Sequence, residues 1–436
     1  MTECTQRLLK FPSFDRRKIE GSFGGGEVSS DGGLMLVRQV DRQLGLTRRL
    51  AAKLPDRREP GKVRHELKTL LGQRIFGIAC GYEDLNDADT LRHDAVLQSA
   101  LERNGTLASA PTLCRLENSA TRRWLRLIHE TLFEVFVESF DSEPEELVLD
   151  FDSTDDPVHG QQEGRHFHGF YRQWCFLPLY VFCGERLLVS YLRPSNIDAA
   201  KHAPRILRLL VKALRTVWPR VKITLRADSG FCRWKMLSWC EANEVGYIVG
   251  VAKNKRLNVL SEAVQKEAFE RYDQTQLKAR LFTEFEYKAA SWDHKRRVIA
   301  KAEHTQKGSN PRYVVSNLAG EPQALYDELY CARGEMENRI KEQQLGLFSD
   351  RTSCHAWWAN QLRLLLSSCA YVLCEALRRI GLQGTELARA QVSTIRLKLF
   401  KIGVVILRNT RRIQLRFSSA YPLQELFSSV LARFAG

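Results

Sequence analysis

The chain should fold as an α/β protein whose sheet-based core follows an all-helical block and is split by a β-rich insertion. The helical spacing of apolar residues gives way at residue 147 to short, nearly continuous apolar runs. Strands and helices then follow in the order strand, strand, strand, helix, strand, helix, strand, and the first three strands can pair as an antiparallel meander. Residues 253–318 break that alternation with a polar stretch and strand-like segments.

Residues 1–30 are expected to be irregular, with Gly24-Gly25-Gly26 and Ser29-Ser30 as loop signals. Residues 31–140 form the helical domain. LMLVRQVDRQLGL and ELKTLLGQRIFGIACGY carry its apolar stripe, with breaks at Pro55, Pro60 and 81–87. A further helix should run from about Thr112 to Phe140, ahead of the acidic linker 141–146. The core is predicted over 146–252 and 319–380. Its strands are LVLDFD (147–152), QWCFLPLYVFC (173–183), RLLVSYLRP (186–194), VKITLRAD (221–228) and YIVGVA (247–252). Helices at about 197–216 and 231–243 separate the later strands. The insertion, 253–318, offers strands at 281–291, 296–303 and 312–318, with a hairpin turn at Trp292-Asp293-His294. The core resumes with a helix at 330–344 and an apolar one at about 356–380. The C-terminal region, 381–436, is basic: between Leu382 and Phe417 lie eight basic residues and one acidic, Glu386. Arg408, Arg411 and Arg412 flank its strand-like segments and could track a phosphate backbone.

A formal charge of +15, from 66 basic and 51 acidic residues among 436, favours a polyanionic partner, nucleic acid ahead of an anionic membrane surface. No apolar run reaches the roughly 18 residues of a membrane span. The N-terminus lacks the apolar stretch of a signal peptide, so a cytoplasmic, nucleoid-associated location is expected. The eleven cysteines form no CxxC pair and read as reduced thiols rather than a zinc site. His166 and His168 have the alternate spacing of strand-borne ligands, but no third ligand stands near them in the sequence.

The chemistry is concentrated in three places. Asp152 closes one strand, before Ser153-Thr154, and Asp228 closes another, before Ser229-Gly230-Phe231. Carboxylates at the ends of adjacent strands project to the sheet rim, where α/β proteins place ligands. On the helix at 330–344, Tyr330, Arg333, Glu337 and Gln344 stand at i, i+3, i+7 and i+14, along one face. Two strand-end acids and one helical acid could hold two divalent ions about 4 Å apart, and hard oxygen donors select Mg2+ or Mn2+. Taken singly, each Asp also reads as a turn former and the helix as a solvated charged face. Asp150, two residues before Asp152 on the same strand face, is its rival, and Asp155 and Asp156 lie close. Asp152 is preferred because it ends the strand.

These blocks carry a family resemblance. DFDST (150–154), LRADSGF (225–231) and YCARGEMENRIKEQQ (330–344) resemble the three acidic motifs of DDE transposases from bacterial insertion sequences, the thirteen-eighty group above all. The third is similar to the Tyr-x2-Arg-x3-Glu-x6-Lys signature of relatives with a β insertion before the catalytic Glu. GYEDLNDADTLRHD (81–94) and PTLCRLEN (111–118) extend the likeness, which covers roughly residues 30–380. The resemblance implies an RNase H-like core and a metal triad of Asp152, Asp228 and Glu337. It also implies that Tyr330 and Arg333 contact DNA phosphates. The signature's Lys falls on Gln344, so Lys341, one turn earlier, is the candidate to supply its charge. Trp292, at the tip of the inferred hairpin, is the candidate to stack on an extruded base, and Lys253 should line the rim. The implied activity is metal-dependent cleavage at element ends followed by strand transfer into target DNA, by a homodimer whose helical domain binds the terminal repeats. A nuclease without strand transfer and a non-catalytic DNA-binding derivative are the alternatives.

Overall fold

The computed structural model describes residues 8–434; residues 1–7 of the segment expected to be irregular lie outside the described residues. The chain divides into two units. One comprises the chain up to Ser119, Gly346–Phe348 and the stretch from Cys369; the other comprises Ala120–Leu345 and Ser349–Ser368.

The second unit is built on one mixed sheet. Its strands are β1 (Glu146–Ser153), β2 (Leu179–Cys183), β3 (Arg186–Tyr191), β4 (Lys222–Ala227), β5 (Gly246–Val251), β6 (Ala279–Tyr287), β7 (Arg296–Thr305) and β8 (Arg312–Ser316). They stand in the order β6-β7-β8-β5-β4-β1-β2-β3, with Gly308–Ser309 paired to β7. β1, β4 and β5 run parallel, β1-β2-β3 is an antiparallel meander, and β8 returns antiparallel to β5. Both sheet faces are covered, which is why the strands read as nearly continuous apolar runs. Leu147, Leu149, Phe151, Ile223 and Leu225 face one core, with residues of the helices Ala203–Val217 and Trp234–Ala242. Ile248, Ile299 and Val314 face the other, against Tyr326. The register pairs Ala227 with both Phe151 and Val249, so β1, β4 and β5 end side by side at one rim.

Three expectations change in this unit. Residues 173–183 are not one strand: Gln173–Phe176 pairs with Asp156–Pro157 and His166–His168 in a separate small sheet, and β2 begins after Pro178. Proline has no N–H to offer the ladder. The strands of 253–318 fall near their predicted positions, but they extend the central sheet rather than forming a body apart. The polar stretch before them folds as the helices Lys255–Leu260 and Glu262–Thr275. The helix expected from Thr112 to Phe140 is two, Ala110–Asn118 and Arg122–Val137, because Thr121 caps the second by accepting from Trp124 N. That second helix belongs with the sheet, where Phe136 packs edge-on to Trp218 at 6.2 Å.

In the first unit, the segment expected to be irregular holds three strands, while residues 22–26, with Gly24-Gly25-Gly26, keep the loop the sequence signals. Leu9–Phe14 and Arg17–Gly21 form a hairpin turned at Asp15 (φ 52°), and Glu27–Ser29 pairs with Val404–Arg408, itself paired to Ile413–Phe417. A strand whose partner lies near the other terminus leaves no local signal. Arg408 is ion-paired with Glu27, while Arg411 and Arg412 are exposed at the turn where Asn409 Oδ1 accepts both their N–H groups. Tyr82, in the 81–94 motif, donates to Asp31 at 2.6 Å, and Asp31 also holds Lys401. No helix among the described residues is long and apolar enough to cross a membrane.

Candidate active site

The alternation of β1 aims Leu149 and Phe151 into one core and leaves Asp150 and Asp152 on the opposite face. The two aspartates have different partners. Asp150 is 1% exposed and held bidentate by Arg226 at 2.5 and 2.7 Å; Arg226 also donates to Leu329 O. Burial nonetheless raises the Asp150 carboxyl above its usual range, against the pull of Arg226. Asp156 is buried and accepts from Thr352 Oγ1, and Asp155 accepts from Gln173 Nε2. Of the four, Asp152 is the one whose carboxylate accepts a hydrogen bond from a residue of the helical signature, Arg333.

Arg333 links two of the predicted acids. Its Nη1 donates to Asp152 Oδ2 at 3.0 Å and its Nη2 to Glu337 Oε1 at 2.5 Å. Asp228, one step past the Ala227–Phe151 pair, caps the turn Ser229–Phe231 by accepting from Gly230 N at 2.8 Å. Burial pushes Asp152 up to about 7; Arg333 opposes the rise, and the like charges of Asp228 and Glu337 add to it. Two carboxylates therefore pair with one guanidinium while a third, Asp228, adds negative charge nearby, an arrangement short of positive charge. Glu335, the neighbouring acid of the helix, is exposed.

The helix that presents Arg333 and Glu337 is continuous from Pro322 to Gly346. It widens to i→i+5 turns at Leu325–Tyr330 and Glu342–Gly346 and tightens at Cys331–Arg333. Such widened turns gather at functional sites, where they re-aim side chains. Gln344 stays on the face of Arg333 and Glu337 and donates to the carbonyl of Asp155 at 2.9 Å. Its role here is to tie the helix to the segment after Asp152, which needs no charge. Lys341 is exposed, off that face. Tyr330 lies against β5, and burial raises its hydroxyl pKa. A Cβ on Gly250 would stand 2.7 Å from Tyr330 Oη and 2.8 Å from Ser229 N. Gly250, missed in the sequence, thus lets helix, strand and Asp228 turn approach. Gly250→Ala should displace Tyr330 or the Asp228 turn by about 1 Å and lower whatever reaction the site supports at least about tenfold, with little loss of stability, since such a displacement at a reacting centre is costly. Initial rates set beside urea denaturation of both proteins check this.

Two sequence-predicted contacts are not brought to the acids. Trp292 does not project from the hairpin: it is 5% exposed, packed on Tyr287 with ring centroids 5.5 Å apart. Arg296 stacks on its face and bonds Glu241 on the helix Trp234–Ala242 and Asp293 in the loop, folding the loop inward. The expectation of an exposed stacking indole is therefore corrected, and Trp292→Ala should cost about 3 kcal/mol of stability. Urea denaturation measures that directly. Lys253, two residues past β5, is exposed and reaches Asn310 Oδ1 at 3.4 Å.

Among the described residues, no three His, Cys, Asp or Glu side chains are gathered closely enough to hold one metal ion as they stand. The guanidinium of Arg333 lies between two of the carboxylates instead. Hard oxygen donors that already hold a cation fit a divalent ion able to displace it.

A mixed sheet that brings two aspartates to adjacent strand ends, faced by a glutamate and an arginine on one helix, defines a carboxylate-centred site at a sheet rim. The chain belongs to the DDE transposases: the family described as "Transposase DDE domain group 1" matches residues 11–436. No curated protein matches the chain. Among solved structures it is similar to the piggyBac transposase in a synaptic complex with hairpin DNA, solved by cryo-EM. That match has 10% identity and a TM-score of 0.44, and covers 85% of this chain and 80% of that one.

Proposed function

We propose that the protein is the transposase of a bacterial insertion sequence, cutting DNA at the element's ends and joining them to target DNA from one RNase H-like active site. The observation that carries this reading is the Asp152–Arg333–Glu337 link beside Asp228, in a chain of the DDE family. Asp152, Asp228 and Glu337 would hold Mg2+ or Mn2+, two ions per site. Bound there, the ions supply charge neutralisation and an activated water or 3′-hydroxyl. The chain's own residues do the remaining work. With their carboxylates turned to the ions, Glu337 and Asp152 would release Arg333, whose planar fork suits a phosphate oxygen pair. Tyr330, fixed by Gly250, orients the strand beside Asp228. Lys341 and Lys253, both exposed, add salt-sensitive backbone affinity. Synapsis of two ends requires two copies, so the active species is a homodimer on DNA, with the helices of 31–119 contributing to recognition of the terminal sequence.

The test is incubation of the purified protein with a plasmid carrying the DNA that flanks its reading frame, a labelled target plasmid, and either Mg2+ or EDTA. Mg2+-dependent cleavage with joined products is expected. Cleavage without joining would reduce the reading to a nuclease, and no cleavage with intact binding would reduce it to a DNA-binding derivative.

A further inference from the structure

The segment Gly164–Cys175 contains two arginines, two histidines, four aromatic residues and no acid. It forms a hairpin, His166–His168 against Gln173–Phe176, within the small sheet. Phe167 and Trp174 are direct cross-strand partners with rings 6.2 Å apart, and both are open to solvent, at 55% and 46%. Arg165 lies over the Trp174 ring at 4.5 Å. At the tip, Phe170 is 83% exposed beside Tyr171, and Arg172 is exposed as well. Solvent-facing rings in such a group mark a surface that something covers.

The hairpin is also anchored to the candidate active site. Gln173 bonds the Asp155 carboxylate, and Gln344 of the signature helix bonds the Asp155 carbonyl. Flat rings interleaved with guanidinium groups, without acids, suit nucleobases attached to a phosphate backbone better than an apolar protein face.

We propose that the hairpin carrying Phe167 and Trp174 is a stacking platform for unpaired bases of the DNA strand that enters the active site. This rests on the reading of the protein as a DNA-cutting transposase. It moves the base-binding role expected of the buried Trp292 to a different element. Unpaired bases are the committed occupant because duplex bases offer no free ring face, whereas single strands stack on aromatic side chains whatever their sequence.

Fluorescence anisotropy with a labelled oligothymidylate and a labelled duplex of equal length tests the proposal. The double variant F167A/W174A should lose about tenfold or more in affinity for the oligothymidylate while holding duplex affinity within about twofold. Trp174→Phe should retain most of the single-strand binding. Phe170→Ala, at an exposed tip where folding is not at risk, should lose a few-fold. A 2-aminopurine placed in the oligonucleotide should be quenched by the parent protein and not by the double variant. Unchanged single-strand affinity in folded F167A/W174A and F170A overturns the proposal. So does a fall in oligomeric state with DNA affinity intact, which would make the patch a contact between copies. If the parent binds duplex but not the oligothymidylate, the platform alone is lost; if it binds neither, the functional reading falls with it.

Discussion

Glu337→Gln should lower DNA cleavage by at least about a thousandfold while leaving DNA affinity within about twofold. The substitution keeps shape and the hydrogen bond to Arg333, and removes only the charge. Glu337 is the more exposed of the two acids bridged by Arg333, so its loss carries little folding cost. Asp152→Asn and Asp228→Asn should fall to the same floor. Groups that act as one unit are non-additive, so the triple variant should be no worse than the worst single. Glu335→Gln, on the exposed side of the same helix, is the control and should cleave like the parent. Gel assays of labelled plasmid cleavage, with parallel binding isotherms, give both quantities. A Glu337→Gln variant that cuts at the parent rate would end the assignment of the third acid.

Asp150→Ala should destabilise the folded protein by about 3 to 5 kcal/mol, because it strands the Arg226 guanidinium in the interior. Arg226→Ala should do the same from the other side. The pair sits at 8% and 1% side-chain exposure, with its geometry fixed from both sheet and helix. The double variant D150L/R226M should recover much of the loss, since removing both charges leaves no unpaired ion. Chemical denaturation of the four proteins completes the cycle. The contrast with Asp152 is the point of the experiment: the two aspartates share a strand face, yet one should answer in stability and the other in cleavage. Equal destabilisation by Asp152→Ala and Asp150→Ala, without a selective loss of cutting, would remove the distinction.

What the sequence made legible follows from the range of the forces involved. The ends of β1 and β4 and the helix at 330–344 were readable because strand alternation and helical periodicity are local. The register of Asp152, Asp228, Arg333 and Glu337 depends on little else. The sequence prefers Asp152 over Asp150 only for its place at the strand end, because the partner that occupies Asp150, Arg226, stands on another strand. Gln344 looked anomalous for a similar reason: its partner is a backbone carbonyl 189 positions away. Trp292 was misread because a hairpin turn normally exposes its tip, and only Arg296 with Glu241 reveals the inward fold. The joining of residues 279–316 to the central sheet was hidden as well, since alternating strands do not announce their partners.

That shared sheet has a mechanical consequence. Because β8 closes the edge of β5 in register, with Ile248 opposite Ser316 and Val251 opposite Tyr313, the insertion and the strands that carry Asp152 and Asp228 are one cooperative body. Amide protons of β5, β7 and β8 should exchange on the timescale of global opening. Excision of 253–318 would uncover a bare strand edge next to Gly250 and Asp228, an edge prone to pairing with other chains. The segment therefore behaves as a permanent wall of the central sheet, and evolution or engineering could trim its helices far more readily than its strands.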